Sequence, residues 1–213
     1  MKFLFKIMAF MACTQFLIHT ANAQGSQYDG PYIGLDGSYD KHTPVSATLI
    51  TQPTGFVLPS TAAYSDDGIS AGIFVGYRQS LENFTVAAEA RYTYSFVSNQ
   101  ITATDTFNPT NEYGASVMPG YWLTNEVVVF GRLGFSQQNI NRNYQGSLFN
   151  NTDTGLIYGG GIEIYVNELF SLRADYTRTT HNHRMNLTVN NQSAVFFNNI
   201  RRERIRGSIV AKF

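Results

Sequence analysis

Along its length the chain alternates apolar and polar residues with a period of two in eight places. The segments run about 31–39, 68–79, 83–97, 112–123, 126–137, 155–166, 169–180 and 201–213. Successive side chains on a strand point to opposite faces, so this spacing predicts half-buried β-strands. In the third segment Phe84, Val86, Ala88, Ala90, Tyr92, Tyr94 and Phe96 share one face, and Thr85, Ala87, Glu89, Arg91, Thr93 and Ser95 the other. The last segment sets Ile205, Gly207, Ile209, Ala211 and Phe213 against Arg204, Arg206, Ser208, Val210 and Lys212.

The connections alternate too. Three are tight: Ser80-Leu81-Glu82, Thr124-Asn125 and Asn167-Glu168. Four are long and polar, over about 40–67, 98–111, 138–154 and 181–200. Strict alternation of short and long connections suits an up-and-down barrel with both chain ends in the periplasm. The pattern therefore predicts an all-β fold, an eight-stranded antiparallel up-and-down transmembrane β-barrel. The inner turns share a local likeness, Asn125-Glu126 and Asn167-Glu168, each followed by an inward arginine (Arg132, Arg173).

Turning the apolar face to lipid sends the polar face into the lumen. The lumen then receives the acids Asp36, Glu89, Glu163 and Asp175 and the bases Arg78, Arg91, Arg132, Arg173, Arg204, Arg206 and Lys212. A slip of one residue would put these charges in lipid, at roughly 2–4 kcal/mol per Arg or Lys near the midplane. The register should therefore be firmly set. Pro119 falls on the lipid face, where its missing N–H calls for a bulge or a gap in the ladder. A soluble lipocalin-like barrel would reverse the two faces. The turn asymmetry, the aromatic strand ends and Phe213 favour the membrane.

Composition agrees. There are 16 Phe, 13 Tyr and 18 Gly, which suits strands, turns and interfacial aromatics. With 15 basic and 15 acidic residues there is no electrostatic footprint for nucleic acid. Lys2 and Lys6, a mostly apolar stretch from Ile7 to Ile18, and Ala21-Asn22-Ala23 predict a signal peptide over residues 1–23. The barrel domain then spans 24–213. The one cysteine, Cys13, lies in that leader, so the mature chain has no disulfide, thiolate or cysteine–metal chemistry. Beyond it no apolar run approaches 18 residues, which excludes membrane helices and leaves a closed barrel as the way across lipid.

Four segments resemble the small outer-membrane β-barrel family of OmpA-like and opacity-like porin domains. They are Gly30-Pro31-Tyr32-Ile33-Gly34, Tyr113 to Phe135 with its GRLG element at Gly131 to Gly134, Tyr158 to Tyr176 with SLRADY at Ser171 to Tyr176, and the terminal Phe213. The resemblance implies export to the cell outer membrane, lipid and lipopolysaccharide as surroundings, and Phe213 as a signal read by barrel-assembly machinery. Its motifs specify a fold more than a function.

Candidate chemistry is sparse. The inward charges are either the lining of a water-filled path or a packed plug of paired ions, and the narrow interior of eight strands favours the plug. Trp122, Met118 and Tyr165 help to fill it. Arg178 and Arg201 share the outward face at the outer rim, where guanidinium groups would clasp lipopolysaccharide phosphates or simply snorkel. His181-Asn182-His183 offers two imidazoles without further marked ligands, so no metal site is expected. Gly159-Gly160-Gly161 lacks the helix and lysine of a phosphate loop; it would give room to lumen side chains. No spacing marks a catalytic triad, and no cofactor is implied. The leading expectation is a non-enzymatic surface protein, structural or adhesive, that meets a host or surface ligand through its loops. The alternatives are a small porin and an outer-leaflet lipid-modifying enzyme.

Overall fold

The computed structural model describes residues 26–52, 56–60, 66–96, 99–102, 105–144, 147–189 and 192–213. The leader expected over 1–23 lies outside them. After a 3-10 turn, Ser26–Tyr28, the strands are β1 (Gly30–Gln52), β2 (Phe56–Ser60), β3 (Asp66–Leu81), β4 (Phe84–Ser95), β5 (Asn99–Thr102), β6 (Asp105–Trp122), β7 (Val127–Tyr144), β8 (Ser147–Tyr165), β9 (Phe170–Val189) and β10 (Gln192–Lys212). Eight of them form one antiparallel sheet in the order β10-β9-β8-β7-β6-β4-β3-β1, and β10 pairs with β1 to close it. This is the closed eight-stranded up-and-down barrel that the alternation predicts. The short strands β2 and β5 pair only with the outer parts of β1 and β6.

The eight barrel strands coincide with the eight alternating segments, but most run further at the outer end. Much of the sequence expected as loop, over 40–67, 98–111, 138–154 and 181–200, is paired strand. The β7–β8 ladder continues to Tyr144 opposite Ser147, and the β9–β10 ladder to Val189 opposite Gln192. Asn, Thr and Ser on both faces erase the hydrophobic alternation there, while backbone groups pair whatever the side chains are. A strand crosses a bilayer in about 9–11 residues. The 23 residues of β1 and the 21 of β10 therefore project well beyond it.

Outward positions form an apolar band that includes Leu35, Ile73, Val75, Val86, Val117, Leu133, Leu172, Ile205 and Ile209, all exposed. Aromatics bound it. Phe84 packs edge-on against Tyr121 near the inner end, and Tyr94 against Phe96 near the outer end. Phe84 and Tyr94 share a face of β4 ten residues apart. At about 3.3 Å per residue and a tilt near 40°, this spans roughly 25 Å, the height of an outer-membrane apolar band.

The inner turns are tight. In one, the Thr124 hydroxyl accepts from the N–H groups of Glu126 (3.2 Å) and Val127 (3.1 Å). In another, Asn167 Oδ1 accepts from Leu169 (2.8 Å) and Phe170 (2.7 Å). The two turns are thus built alike, but Thr124 is the counterpart of Asn167. The likeness expected between Asn125-Glu126 and Asn167-Glu168 is off by one residue, because the capping oxygen must reach the N–H groups two and three residues on. The first turn lies at Glu82-Asn83, with Glu82 in the left-handed region (φ 55°).

Pro119 interrupts a ladder without shifting its register. Val117 pairs with Leu133 and Gly120 with Phe130 in one register, and the pairing lapses between them. The true bulge in β6 comes further out, between Pro109 and Glu112. The three glycines of β8 serve close strand approach more than room for side chains. A Cβ on Gly159 would lie 2.1 Å from the Tyr176 carbonyl oxygen, and one on Gly161 2.2 Å from that of Ala174.

Candidate functional site

The lumen is the feature most dense in chemistry. Period two delivers Asp36, Glu89, Arg91, Arg132, Glu163, Arg173, Asp175, Arg204 and Arg206 from six strands to a common interior, where Arg78 of β3 joins them. Burying ions costs several kcal/mol each unless partners and hydrogen bonds offset it. The sequence supplies those partners across the barrel as well as between neighbouring strands.

Arg78 meets Glu163 through two parallel contacts, Nη2 to Oε2 at 2.7 Å and Nη1 to Oε1 at 3.4 Å. The same Glu163 accepts from Arg173 Nε (2.8 Å) and from the Ser171 hydroxyl (2.6 Å). Arg173 reaches on to Glu89, Nη1 to Oε2 at 2.6 Å. Glu89 Oε1 also accepts from Arg91 Nη2 and Arg132 Nη1, each at 2.7 Å. One carboxylate thus holds three guanidinium groups from β4, β7 and β9. From Arg132 the chain of charges continues to Asp175 (3.1 Å) and Arg206 (3.0 Å), and Asp36 joins Arg206 (3.6 Å) to Arg91.

Aromatic rings pack into this network. The Arg173 guanidinium lies 5.1 Å from the Phe74 ring centre, 5.4 Å from Tyr32 and 5.6 Å from Phe130. Such contacts add about 0.5–2 kcal/mol where water is excluded. Gly76 makes room for Tyr32: a Cβ there would sit 2.3 Å from the ring. Below, Tyr28 stacks on Tyr165 at 3.8 Å and on Trp122 at 5.5 Å, and Trp122 Nε1 donates to Ser80 Oγ at 3.3 Å.

A second cluster occupies the outer half. Arg204 binds Asp40 through two nitrogens and donates from Nη1 to Glu112 Oε2 at 2.9 Å. Glu112 also pairs with Arg202, which donates to Gln138 at 3.3 Å. His42 is buried beside them. Asp40, His42, Glu112 and Arg202 are absent from the sequence-derived set. Parity would have found them, since 40 and 42 continue the inward series 36, 38, and 202 precedes 204 and 206. The expected strand edge hid Asp40 and His42; Glu112 and Arg202 lie inside expected strands.

Lys212 lines the lower lumen cavity but stands apart from the ion pairs. It is half-buried at the inner end, and its ammonium donates to the Gln27 carbonyl, below the last layer of paired ions. The balance changes with these assignments. Among the described residues the two networks hold seven arginines and six carboxylates. Asp153, also buried on the inward parity of β8, brings the buried carboxylates to seven, equal to the arginines. Outside the lumen, Arg178 pairs with Glu203 at 2.8 Å, and Arg201 lies half-exposed on the same outward face. Phe213 is 77% exposed, and its N–H bonds the Pro31 carbonyl across the β10–β1 seam (3.2 Å). The His181 and His183 side chains lie outside the described set. Among the described residues no group of three His, Cys, Asp or Glu could hold a metal ion.

Two small cavities lie in the lumen among the described residues. The upper, about 20 Å³, is bounded by Thr93, Glu112, Arg132 and Arg202 among others; the lower, about 10 Å³, by Tyr28, Tyr32, Glu163 and Tyr165. A water needs roughly 10–15 Å³ on this scale. Neither is a channel by itself, and the two share no lining residue.

Residues 10–199 match the family model of the outer membrane protein beta-barrel domain. The chain belongs to that family. Its place is the cell outer membrane, where the family's barrels reside. A search of curated protein sequences finds no match. Among solved structures the barrel is similar to Neisserial surface protein A, with 19% identity and a TM-score of 0.57, covering 86% of this chain and 97% of that one. It is also similar to the outer membrane protein OprG of Pseudomonas aeruginosa, with 11% identity and a TM-score of 0.56, covering 90% and 99%. At such identities the likeness is one of fold.

Proposed function

We propose that the chain is a non-enzymatic surface barrel whose lumen is a structural plug and whose long outer β-ribbons make the contacts. The observation that carries this reading is the layer around Glu89. Its three arginines and the rings of Tyr32, Phe74 and Phe130 occupy the lumen between two cavities of about 20 and 10 Å³. With the interior committed to ion pairing, the surface left for recognition is the projecting ends of β1–β2, β5–β6, β7–β8 and β9–β10. Paired ribbons hold that surface more rigidly than open loops, which suits a structural or adhesive role toward a host or surface ligand. Arg178 and Arg201 at the outer aromatic level are the groups to meet lipopolysaccharide phosphates. Arg178 already shares its charge with Glu203, so Arg201 carries more of that contact. Phe213, at the closing seam, is the residue for the barrel-assembly machinery.

Planar-bilayer recording on refolded protein tests the plug. The control is gel mobility that changes on boiling, which certifies a folded barrel. Silence from folded protein is expected. Steady, reproducible conductance steps would overturn the plug and put the small-porin reading in its place.

A further inference from the structure

We propose that the upper lumen cavity is a binding site for one small monovalent inorganic anion, chloride under envelope conditions. The site goes beyond the plug reading and does not depend on whether the barrel conducts. Its wall carries five arginines, among them Arg132 and Arg202, and one carboxylate, Glu112. Asp36 and Asp175, which pair with Arg91, Arg132 and Arg206, do not line it.

Wall residues carry six buried polar atoms without a hydrogen-bond partner; Arg132 Nε and Arg206 Nε still face Asp175 and Asp36, and the most deeply buried of the other four are Arg132 Nη2, Arg202 Nε and Thr93 Oγ1. Their residues are 3%, 1% and 1% exposed. The two guanidinium nitrogens can only donate, and the hydroxyl can donate. Leaving such groups unpaired away from water is costly. An acceptor with no protons of its own suits each of the three. A water molecule in the same place would have to direct its own two protons into a wall dominated by cations. Size narrows the class further. About 20 Å³ admits one particle near the size of water. Chloride is only slightly larger, whereas the tetrahedral oxyanions phosphate and sulfate are too large.

The test is equilibrium unfolding of the whole folded barrel in zwitterionic detergent, with sodium chloride titrated against sodium gluconate at constant ionic strength. Gluconate is too bulky for the cavity. An ion bound by the folded state alone raises the folding constant about tenfold per tenfold rise in chloride above its dissociation constant. A slope near one on logarithmic axes is expected. Thr93→Val keeps the side-chain shape and removes one donor, so the rise should begin at about tenfold higher chloride. Arg132→Gln should abolish it if that variant folds; Thr93→Val decides the matter if it does not. Equal stability in chloride and gluconate would mean that the cavity holds only water. A chloride dependence unchanged in Thr93→Val would mean that the ion acts elsewhere. Either result overturns the site, and neither bears on the conductance result.

Discussion

The inner and outer ends of the barrel are closed by different physics. At the inner end Tyr28, Trp122 and Tyr165 stack as a neutral aromatic floor, and turns capped by Thr124 and Asn167 lock the strand ends together. At the outer end Arg202 and Arg204 are held by Asp40 and Glu112, and the strands run on past the bilayer. The floor is compact and built from uncharged rings. The outer closure is ionic, adjoins a cavity and borders the ribbons that face outward. The Glu89 layer separates the two. The difference teaches that sealing and presenting are assigned to opposite ends of the same strands.

The sharpest way to break the comparison is to remove the boundary. Glu89→Gln strips the charge that faces Arg91, Arg132 and Arg173 while keeping the shape. Removing one partner of a buried ion pair costs about 3–5 kcal/mol, and here three cations lose their counter-charge. The unfolding midpoint in urea should fall by the largest margin of any single lumen change. Trp122 is the only tryptophan, so its emission reports on the inner floor. That emission should shift as well, because Arg173 and Arg78 lie between the boundary and the floor. A variant as stable as the parent would show that the layer is not what holds the lumen together.

Glu112→Gln probes the outer closure by the same chemistry. Glu112 faces two arginines where Glu89 faces three, and Asp40 still holds Arg204 once Glu112 is neutral. The expected cost is smaller, about 1–3 kcal/mol for buried donors left short of an acceptor. Trp122 emission should stay where it is. If it moved as far as in Glu89→Gln, the two ends would be one cooperative unit and the comparison would fail.

How much of this the sequence shows follows the same division. From the inner turns to the outer girdle, period two is clean, because one face meets lipid and the other meets ions. Strand count, closure, facing and ten of the eleven expected lumen charges are legible there. Lys212 also reaches the lumen, at the lower cavity, but joins no ion pair, since parity says nothing about where a layer ends. Beyond the girdle both faces are polar, the alternation loses contrast, and paired strand looks like loop. Asp40 and His42 lie beyond the expected end of the first strand, whereas Arg202 lies inside the last one, on the parity of Arg204 and Arg206. Glu112 sat inside an expected strand, and the parity of Ser116 and Met118 pointed to it. Which carboxylate meets which arginine is not legible at all. It depends on stagger around the barrel, as in Arg78 reaching Glu163 across 85 positions of sequence.

The smallest expected effect belongs to the inner turns. Asn167→Ala removes an acceptor shared by the N–H groups of Leu169 and Phe170, at 2.8 and 2.7 Å. The turn is exposed, so water replaces much of what is lost, and the cost should be about 0.5–1.5 kcal/mol. Thr124→Ala should cost less, because its contacts to Glu126 and Val127 are longer, at 3.2 and 3.1 Å. Asn167→Asp should recover most of the loss, since a carboxylate oxygen accepts in the same place. The readout is the urea midpoint, with Trp122 emission watched alongside it. Trp122 ends β6 immediately before the Thr124 turn, while Tyr165 ends β8 immediately before the Asn167 turn, and both rings belong to the same floor. A fully capped floor predicts that either alanine variant loosens the emission slightly and to a similar degree. A response to Thr124→Ala alone would mean that each turn fixes only its own strand, and that the aromatic stack, not the turns, closes the inner end.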